Sequence, residues 1–365
     1  MYVNMGPQHP STHGVLRLII KTDGEVVKEV IPVIGYLHRC AEKIGENLTY
    51  VQYVPYTDRM DYLSSMSDNL GFCLAVEKLL GIEIPPRAQF LRIIFAELNR
   101  IASHLLAIGT YGIDIGAITP FLYCFREREM ILSMFEIASG ARLTYNYIRI
   151  GGLMREPPKE FYKLLEQFIK IFPQKVDDYD ELLSFNQIFL NRTVGIGIMP
   201  AKVAIEYGVT GPNLRASGVK LDIRKIEPYC SYDKIEFDVP TGKNGPGIIG
   251  DSWNRYYVRI VEMRESLNII KKALEGLPTG DFISPQVKRV IRPPKGEVYF
   301  RIENPRGELG FYIISDGTEK AYRVKVRAPS FCNLSVLPEI AKGVLIADLI
   351  AILGSIDIVL GEVDR

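Results

Sequence analysis

Two long apolar stretches, residues 101–125 and 343–361, constrain the fold of this chain more than any other feature. Each approaches the length of a membrane-spanning helix, so each must be buried in a bilayer or in a protein core. The first contains His104 and Asp114, and the second contains two further aspartates. Such groups are costly at the centre of a bilayer. The sequence therefore predicts that both stretches lie in a large protein core, and that any membrane association comes through partner proteins.

The charge balance excludes one broad class of partner. The 365 residues include 44 Lys and Arg against 43 Asp and Glu, which gives a formal charge of +1. Binding to a phosphate polyanion depends on a clear basic excess. Nucleic acid is therefore not an expected partner, while a hydrophobic content of 47% is ample for a large core.

The cysteines and the N-terminus indicate a reducing compartment. No CxxC pair occurs among the five widely spaced cysteines, Cys40, Cys73, Cys124, Cys230 and Cys332. Neither a disulfide framework nor a self-contained zinc site is expected from this pattern. The first residues lack the basic and then apolar order of a secretory signal, so we expect the chain to begin as a mature protein.

The first half of the chain is predicted to be mainly helical. It opens with β-rich runs at 15–20 and 26–32, whose connection through Asp23 and Gly24 predicts an N-terminal β-hairpin. From residue 36 onward apolar positions recur at three- and four-residue spacing, which is typical of helices. The predicted helices cover residues 70–80, 87–106, 121–140 and, in one or two pieces, 159–183.

The second half is predicted to be mixed. Residues 189–250 alternate Gly and Pro with short β-like pieces, and 251–277 predict a long helix. The solvent-facing side of that helix is predicted to carry Glu262, Arg264, Glu265 and Lys271. Period-two alternation over 292–327 predicts a small antiparallel sheet, and 337–352 a helix that ends near Gly354.

These elements predict an α+β fold with a mostly helical core and small antiparallel sheets. Because no internal repeat or low-complexity linker interrupts the chain, residues 1–365 are expected to pack as one unit. Within that unit, residues 1–35 form the N-terminal β-hairpin region and 36–188 the helical core. Residues 189–365 form a mixed helix and small-sheet region whose C-terminal tail enters the core.

Hydrolase, kinase and dinucleotide-binding signatures are absent, so the candidate chemistry rests on a few unusual segments. The most unusual is GPQHPSTHG (6–14), which holds His9 and His13, two of the chain's 4 histidines. Its prolines and glycines exclude a regular helix or central strand, so a loop must present both imidazoles. The alternative is a proline-rich turn whose histidines only bond to the backbone.

A second unusual segment covers residues 56–62, ahead of the first long helix. Tyr62 could donate a proton, Arg59 could supply positive charge, and Asp58 or Asp61 could cap the helix. The alternative is capping alone, beside an ordinary interface tyrosine.

Asp114 is the third candidate, because it stands alone in the apolar segment GTYGIDIGA (109–117). A carboxylate in such a setting needs a partner, and a protonated histidine or an arginine is the usual one. The alternative is an aspartate that caps a helix.

Ten distinctive segments are spread over nearly the whole chain. They are GPQHPSTHG (6–14), YLHRCAEKIGEN (36–47), YTDRMDYL (56–63), PPRAQFLRIIFAELNRIASHLL (85–106), TPFLYCFRERE (119–129), YIRIGG (147–152), LRASGV (214–219), PRGELGFYIISDG (305–317), YRVKVRAPSF (322–331) and LGSIDIVLGEVDR (353–365). Together they resemble the D-type subunit of complex I, a family found in respiratory NADH:quinone, photosynthetic NAD(P)H dehydrogenase and deazaflavin-linked complexes.

That family is related to the large subunit of nickel–iron hydrogenases, so the resemblance implies a fold of that type. Hydrogenases hold nickel with two CxxC pairs, because soft thiolates are needed to bind the metals. In the matching, Asp61 and Ser64 of this chain stand where the first pair would be, and Val359 and Glu362 stand where the second pair would be. With all four thiolates missing, we expect no nickel and no other metal.

The resemblance implies that the remaining cavity takes a quinone as substrate. Residues matching His13 and Tyr62 hold the quinone headgroup in the family, and the carboxylate matching Asp114 pairs with that histidine. The resemblance therefore implies His13, Tyr62 and Asp114 as catalytic residues, with His9 as a further quinone-binding residue. No covalently bound cofactor is expected.

The resemblance also implies where the electrons come from. The cysteines of this chain form no cluster motif, so the iron–sulfur cluster is expected in a neighbouring B-type subunit. Arg39 and Arg59 match arginines that lie near that cluster. The other implied partners are a C-type subunit, an I-type ferredoxin-like subunit and an H-type membrane subunit.

The implied protein is thus a peripheral component on the cytoplasmic side of the cell membrane, or on the equivalent face of an organelle. It is expected to act only within a complex that passes electrons from NAD(P)H, ferredoxin or a reduced deazaflavin to quinone. Two alternatives stay open: a component of a related membrane-bound hydrogenase or sulfur-reductase complex, and a non-catalytic scaffold.

Overall fold

The computed structural model describes residues 1–365, and it begins with a three-stranded antiparallel sheet in the order β1-β2-β3. The predicted hairpin is present as β2 (Arg17–Asp23) paired with β3 (Val26–Val33). A further strand, β1 (Tyr2–Met5), pairs with β2 and was not predicted. Its four residues are too few to show a period-two pattern, so only the pairing with β2 makes them a strand.

Five helices form the first half of the core and confirm its predicted helical character. They are α1 (Ala41–Asn47), α2 (Tyr50–Thr57), α3 (Ser65–Leu80), α4 (Pro86–Asp114) and α5 (Ile118–Ser139). Helix α4 continues to Asp114 instead of ending at residue 106, although Gly109 and Gly112 disfavour helix. A Cβ at Gly109 would lie 3.3 Å from Cys124 Cβ of α5. Close packing against α5 therefore offsets the low helix propensity of this segment.

The β-like pieces predicted for residues 189–250 are wrong. After β4 (Ile148–Arg149) and β5 (Gly152–Leu153), helix α6 (Lys159–Tyr179) ends in a π-helical turn at Asp180–Ser184. The segment that follows contains four short helices and no strand, namely α7 (Gln187–Thr193), α8 (Ala201–Glu206), α9 (Pro212–Ala216) and α10 (Ile223–Ile226). Two of its prolines begin helices, since Pro200 precedes α8 and Pro212 is the first residue of α9.

Helix α11 (Ser252–Glu275) confirms the long helix predicted at 251–277, but Glu262 does not face solvent. Its Oε1 accepts a hydrogen bond from Arg215 Nε at 2.8 Å, and its Oε2 lies 2.9 Å from His104 Nε2. Because α4 and α9 both pack against α11, His104 and Arg215 cover a face that looks solvent-exposed in the sequence.

The predicted C-terminal sheet is confirmed, whereas the single helix predicted at 337–352 is wrong. The sheet has the order β6 (Gly296–Asn304), β7 (Gly307–Ser315), β8 (Ala321–Arg327). Four helices follow, α12 (Pro329–Leu334), α13 (Leu337–Ile340), α14 (Ile346–Ile356) and α15 (Leu360–Asp364). Between α13 and α14, Gly343 donates to Val27 O and Val27 donates to Val344 O, both at 2.8 Å. This pairing with β3 interrupts the helix.

The apolar interior has two parts, and the architecture confirms the α+β class. The larger part lies among α3, α4, α5, α6, α11 and the C-terminal sheet. The smaller part lies between the N-terminal sheet and helices α13 to α15. None of the helices combines the length and the apolar character needed to cross a membrane.

Candidate functional site

The loop between β1 and β2 presents its two histidines differently. His9 is exposed, and its Nδ1 accepts the N–H of Ser11 at 3.2 Å, which caps the short 3-10 turn Pro10–Thr12. His13 follows that turn in the left-handed backbone region, with φ 52°. The structure therefore gives His9 a capping contact and turns only His13 inward.

His13 meets Asp114 at the C-terminal end of α4. Its Nε2 lies 2.5 Å from Asp114 Oδ2, and the two side chains are only 16% and 9% exposed. Burial disfavours the imidazolium, but the hydrogen bond and charge of Asp114, with the charge of Asp357, outweigh it, so the pKa of His13 is raised. No protein group bonds to His13 Nδ1, so this nitrogen is left to act on a ligand.

Helix α14 fixes the position of Asp114. A Cβ at Gly354 would lie 2.6 Å from Asp114 Oδ2 and 2.8 Å from Tyr111 Cδ2. Only glycine lets α14 approach α4 this closely while the carboxylate stays turned toward His13.

Tyr62 lies in the connection between α2 and α3, and its side chain is partly buried. Burial raises the pKa of Tyr62, and the negative charge of Asp61 adds to the effect. The hydroxyl is therefore neutral near pH 7, and it makes no hydrogen bond to another protein group. A neutral O–H without a protein partner is available to a ligand.

The start of α15 lies between the His13 loop and the Tyr62 loop. A Cβ at Gly14, next to His13, would lie 3.0 Å from Leu360 Cδ1. A Cβ at Gly361 would lie 3.3 Å from Tyr62 Cε1 and 2.5 Å from the backbone oxygen of Met60. The three segments singled out in the sequence thus converge on the C-terminal helices.

Arg39 and Arg59 lie next to each other on the surface. Arg39 Nη2 donates to the backbone oxygen of Arg59 at 2.6 Å, and Arg59 Nη1 donates to Pro55 O at 2.5 Å. Both side chains are exposed. Arg39 and Arg59 form a basic surface patch that takes no part in the His13–Asp114 contact.

The predicted capping roles of Asp58 and Asp61 are replaced by tertiary contacts. Asp58 is fully buried, its Oδ2 accepts the N–H of Asn146 at 3.0 Å, and its Oδ1 has no partner within the protein. Burial raises the pKa of Asp58 to about 7. Ser64 is the N-cap of α3 without a side-chain capping bond, and Asp61 instead bonds to Arg306.

Arg306 is the main residue of the site that the sequence did not single out. It is fully buried in the turn between β6 and β7, and its Nη1 donates to Asp61 Oδ2 at 2.8 Å. Its Nη2 donates to Asp357 Oδ1 at 3.2 Å. An arginine between Pro305 and Gly307 is typical of a surface turn, and only the folded chain places it between two carboxylates.

The residues that the resemblance places at the hydrogenase thiolate positions are engaged in other contacts. The Ser64 hydroxyl donates to Asp61 Oδ2, and the Ser330 hydroxyl donates to Glu362 Oε1. Val359 is buried, and its backbone N–H donates to Ser330 Oγ at 3.1 Å. No group of three or more His, Cys, Asp or Glu side chains in the chain is arranged to hold a metal ion.

Comparisons with known proteins point to one family, and the curated relatives match over the full length of the chain. A family model described as respiratory-chain NADH dehydrogenase, 49 Kd subunit, matches residues 114–295 and 285–365. The D-type subunit of the NADH-quinone oxidoreductase of Pelodictyon phaeoclathratiforme is 56% identical over 368 residues, which cover 100% of this chain and 92% of the relative. The corresponding protein of Bacillus cereus is 53% identical over 364 residues, covering 100% of this chain and 98% of the relative. One from Solibacter usitatus is 54% identical over 365 residues, with 100% and 97% covered.

Proposed function

The chain belongs to the 49 kDa subunit family of respiratory-chain NADH dehydrogenase, and from this premise we propose that it forms the quinone-binding cavity of a complex I assembly. The observation that carries the proposal is the His13–Asp114 contact of 2.5 Å, with the unpartnered hydroxyl of Tyr62 on the other side of α15. Reduction of a quinone to a quinol takes two electrons and two protons, so it needs two proton donors near the carbonyl oxygens.

His13 and Tyr62 can supply those two protons. Asp114 keeps His13 in the imidazolium form, and the proton on Nδ1 passes to one quinone carbonyl as the electrons arrive. The Tyr62 hydroxyl gives its proton to the other carbonyl. His13 then becomes neutral while its Nε2–H still donates to Asp114, which keeps the ring oriented for the next proton.

The electrons come from outside this chain. We place the donor cluster in the B-type subunit, next to the basic patch of Arg39 and Arg59, where positive charge would raise the potential of the cluster. The C-type, I-type and H-type subunits complete the proposed surroundings, with this chain peripheral on the cytoplasmic side of the membrane. His9 is proposed as a further quinone contact at the edge of the loop.

Replacing Tyr62 by phenylalanine is the direct test. Quinone reduction by the assembled complex should fall by about 100-fold, because one of the two proton donors is lost while His13 remains. The measurement is donor-to-quinone activity of the membrane-bound complex, with assembly checked on a native gel and cluster reduction by electron paramagnetic resonance.

Tyr322→Phe is the matched control for that experiment, since Tyr322 is 69% exposed on β8. It should leave activity unchanged. If Tyr62→Phe assembles, reduces its cluster and keeps full quinone reduction, Tyr62 is only a packing residue and a scaffold role replaces the proposed one.

Gly354→Ala should weaken the site without removing any polar group. The added methyl meets Asp114 Oδ2 at 2.6 Å, so the carboxylate must turn away from His13, and quinone reduction should fall by about tenfold. Gly245→Ala is the control, since its methyl would meet no atom within 4 Å. Equal activities of the two variants would show that the position of Asp114 does not matter.

A further inference from the structure

Three carboxylates are enclosed beside Tyr62 with too little positive charge to balance them. Asp61 and Asp68 are 0% exposed, and Glu362 is 1% exposed. The guanidinium that reaches this cluster is that of Arg306. Its Nη1 donates to both oxygens of Asp61, at 3.1 and 2.8 Å, and its Nη2 donates to Asp357. The side-chain hydrogen bonds of Arg306 are thus given to Asp61, Asp357 and the Ser103 hydroxyl, and none goes to Asp68 or Glu362.

Asp68 and Glu362 have only neutral hydrogen-bond donors. Asp68 accepts the N–H of Asp61 at 2.8 Å and the Asn304 amide at 3.2 Å. Glu362 Oε1 accepts the N–H of Ser330 at 3.1 Å and also the Ser330 hydroxyl. Glu362 Oε2 is buried and has no partner within the protein. A buried carboxylate oxygen without a donor strongly favours the protonated acid.

The electrostatics agree with that geometry. Burial raises the pKa of Glu362 to about 8, and the charge of Asp61 adds to this, against smaller opposing effects of Arg306 and Ser330. Burial and the charges of Asp61 and Glu362 also raise the pKa of Asp68 well above its ordinary value. Two further titratable groups lie nearby. The charge of Asp58 adds to the raised pKa of Asp68, and burial raises the pKa of Cys332 of α12, so this thiol adds no charge.

Two backbone segments connect the carboxylates Asp61 and Glu362 to Tyr62, the proposed proton donor. Asp61 directly precedes Tyr62, and its charge is one cause of the raised pKa of the tyrosine. On the other side, Gly361 directly precedes Glu362. A Cβ at Gly361 would lie 3.3 Å from Tyr62 Cε1. Tyr62 therefore lies against the segments that carry the ionised and the unpartnered carboxyl groups.

We propose that Glu362 is protonated in the resting protein and returns a proton to Tyr62 after the tyrosine has protonated the quinone. Because Tyr62 and Glu362 share no hydrogen bond, the proton passes through one bridging water molecule. The O–H bond of the Glu362 carboxyl breaks, a new O–H bond forms on the Tyr62 phenolate, and Glu362 is left as a carboxylate. No electrons move, and the carboxylate regains its proton from water before the next turnover. This inference rests on the proposed function of Tyr62.

Glu362→Gln tests the inference in the whole complex. Glutamine has the shape of the neutral acid and keeps a carbonyl oxygen for the Ser330 donors, so assembly and cluster reduction should match the wild type. Quinone reduction should fall by about tenfold at neutral pH, since Tyr62 must take its proton from water. In redox-difference infrared spectra, the carbonyl band of a protonated carboxylic acid should be lost in Glu362→Gln and kept in the control Glu339→Gln.

The pH profile gives a second readout. Wild-type activity should decline as the pH rises above the value at which Glu362 ionises, and Glu362→Gln should lack this limb. Unchanged activity, or an infrared band that persists in Glu362→Gln, would overturn the inference. If Tyr62→Phe is inactive in that case, the proposed function still stands, whereas a fully active Tyr62→Phe removes both.

Ser330→Ala covers the case in which Glu362→Gln does not assemble. It removes a hydroxyl that donates to Glu362 Oε1 and that favours the ionised form, so the alkaline limb of the activity profile should move to higher pH. A limb that stays in place would contradict the role of Glu362.

Discussion

Asp114→Asn should lower quinone reduction by about 1,000-fold at neutral pH while the complex still assembles. Two effects combine. Asparagine removes the charge that keeps His13 protonated, so burial lowers the pKa of the imidazole, and His13 is then mostly neutral near pH 7. The amide can also present its NH₂ group to Nε2, which would stabilise the wrong tautomer of the ring.

The sign of the pH dependence follows from the raised pKa of His13 in the wild type. At low pH His13 is protonated, and its interaction with Asp114 stabilises the fold. Both the proton and this stabilisation are lost as the pH rises through the raised pKa of His13. In Asp114→Asn this loss should occur at lower pH, so activity should recover partly on acidification. The measurement is the rate of quinone reduction across the pH range.

Asp348→Asn is the control, because Asp348 forms a partly exposed ion pair with Arg192 at 3.0 Å, and such pairs contribute little. An Asp114→Asn complex with wild-type activity and a wild-type pH profile would rule out His13 as the imidazolium donor.

Arg306→Met should prevent stable folding of the chain. Methionine has a similar volume, but it leaves Asp61 buried without a guanidinium partner and leaves Asp357 with only the longer contact to Arg259, at 3.7 Å. Removal of one member of a buried ion pair costs about 3–5 kcal/mol, which is a large part of the stability of a typical domain. We expect little assembled complex in membranes, or a marked drop in its unfolding temperature.

Two further variants separate charge from packing. Arg306→Met combined with Asp61→Asn should recover part of the loss, since one uncompensated carboxylate is removed. Arg323→Met breaks only a surface pair with Glu46, so it should change stability by about 0–1 kcal/mol. If Arg306→Met is as stable as Arg323→Met, the buried pairs do not hold the site together.

Local patterns were sufficient where an element depends on its own residues. The alternating strands of the C-terminal sheet and the 3.6-residue period of α3, α4 and α5 are visible in the sequence, and the structure confirms them. The single helix expected at 337–352 failed because Gly343 and Val344 bond to Val27, more than 300 residues earlier. The pattern of α11 alone predicts Glu262 in solvent, because the pattern of one helix cannot show that Arg215 and His104 cover this side chain.

The sequence by itself determined the class of fold, the family and the three unusual segments that carry His13, Tyr62 and Asp114. Those segments stand out because prolines, glycines and an isolated carboxylate violate the local rules for helices and strands. The family resemblance already implied the pairing of Asp114 with His13. Only the tertiary structure decided the other charge contacts: Arg306 between Asp61 and Asp357, and Glu362 with no cationic partner. The physical reason is that burial and distance set the strength of a charge interaction, and both depend on contacts between segments far apart in the chain.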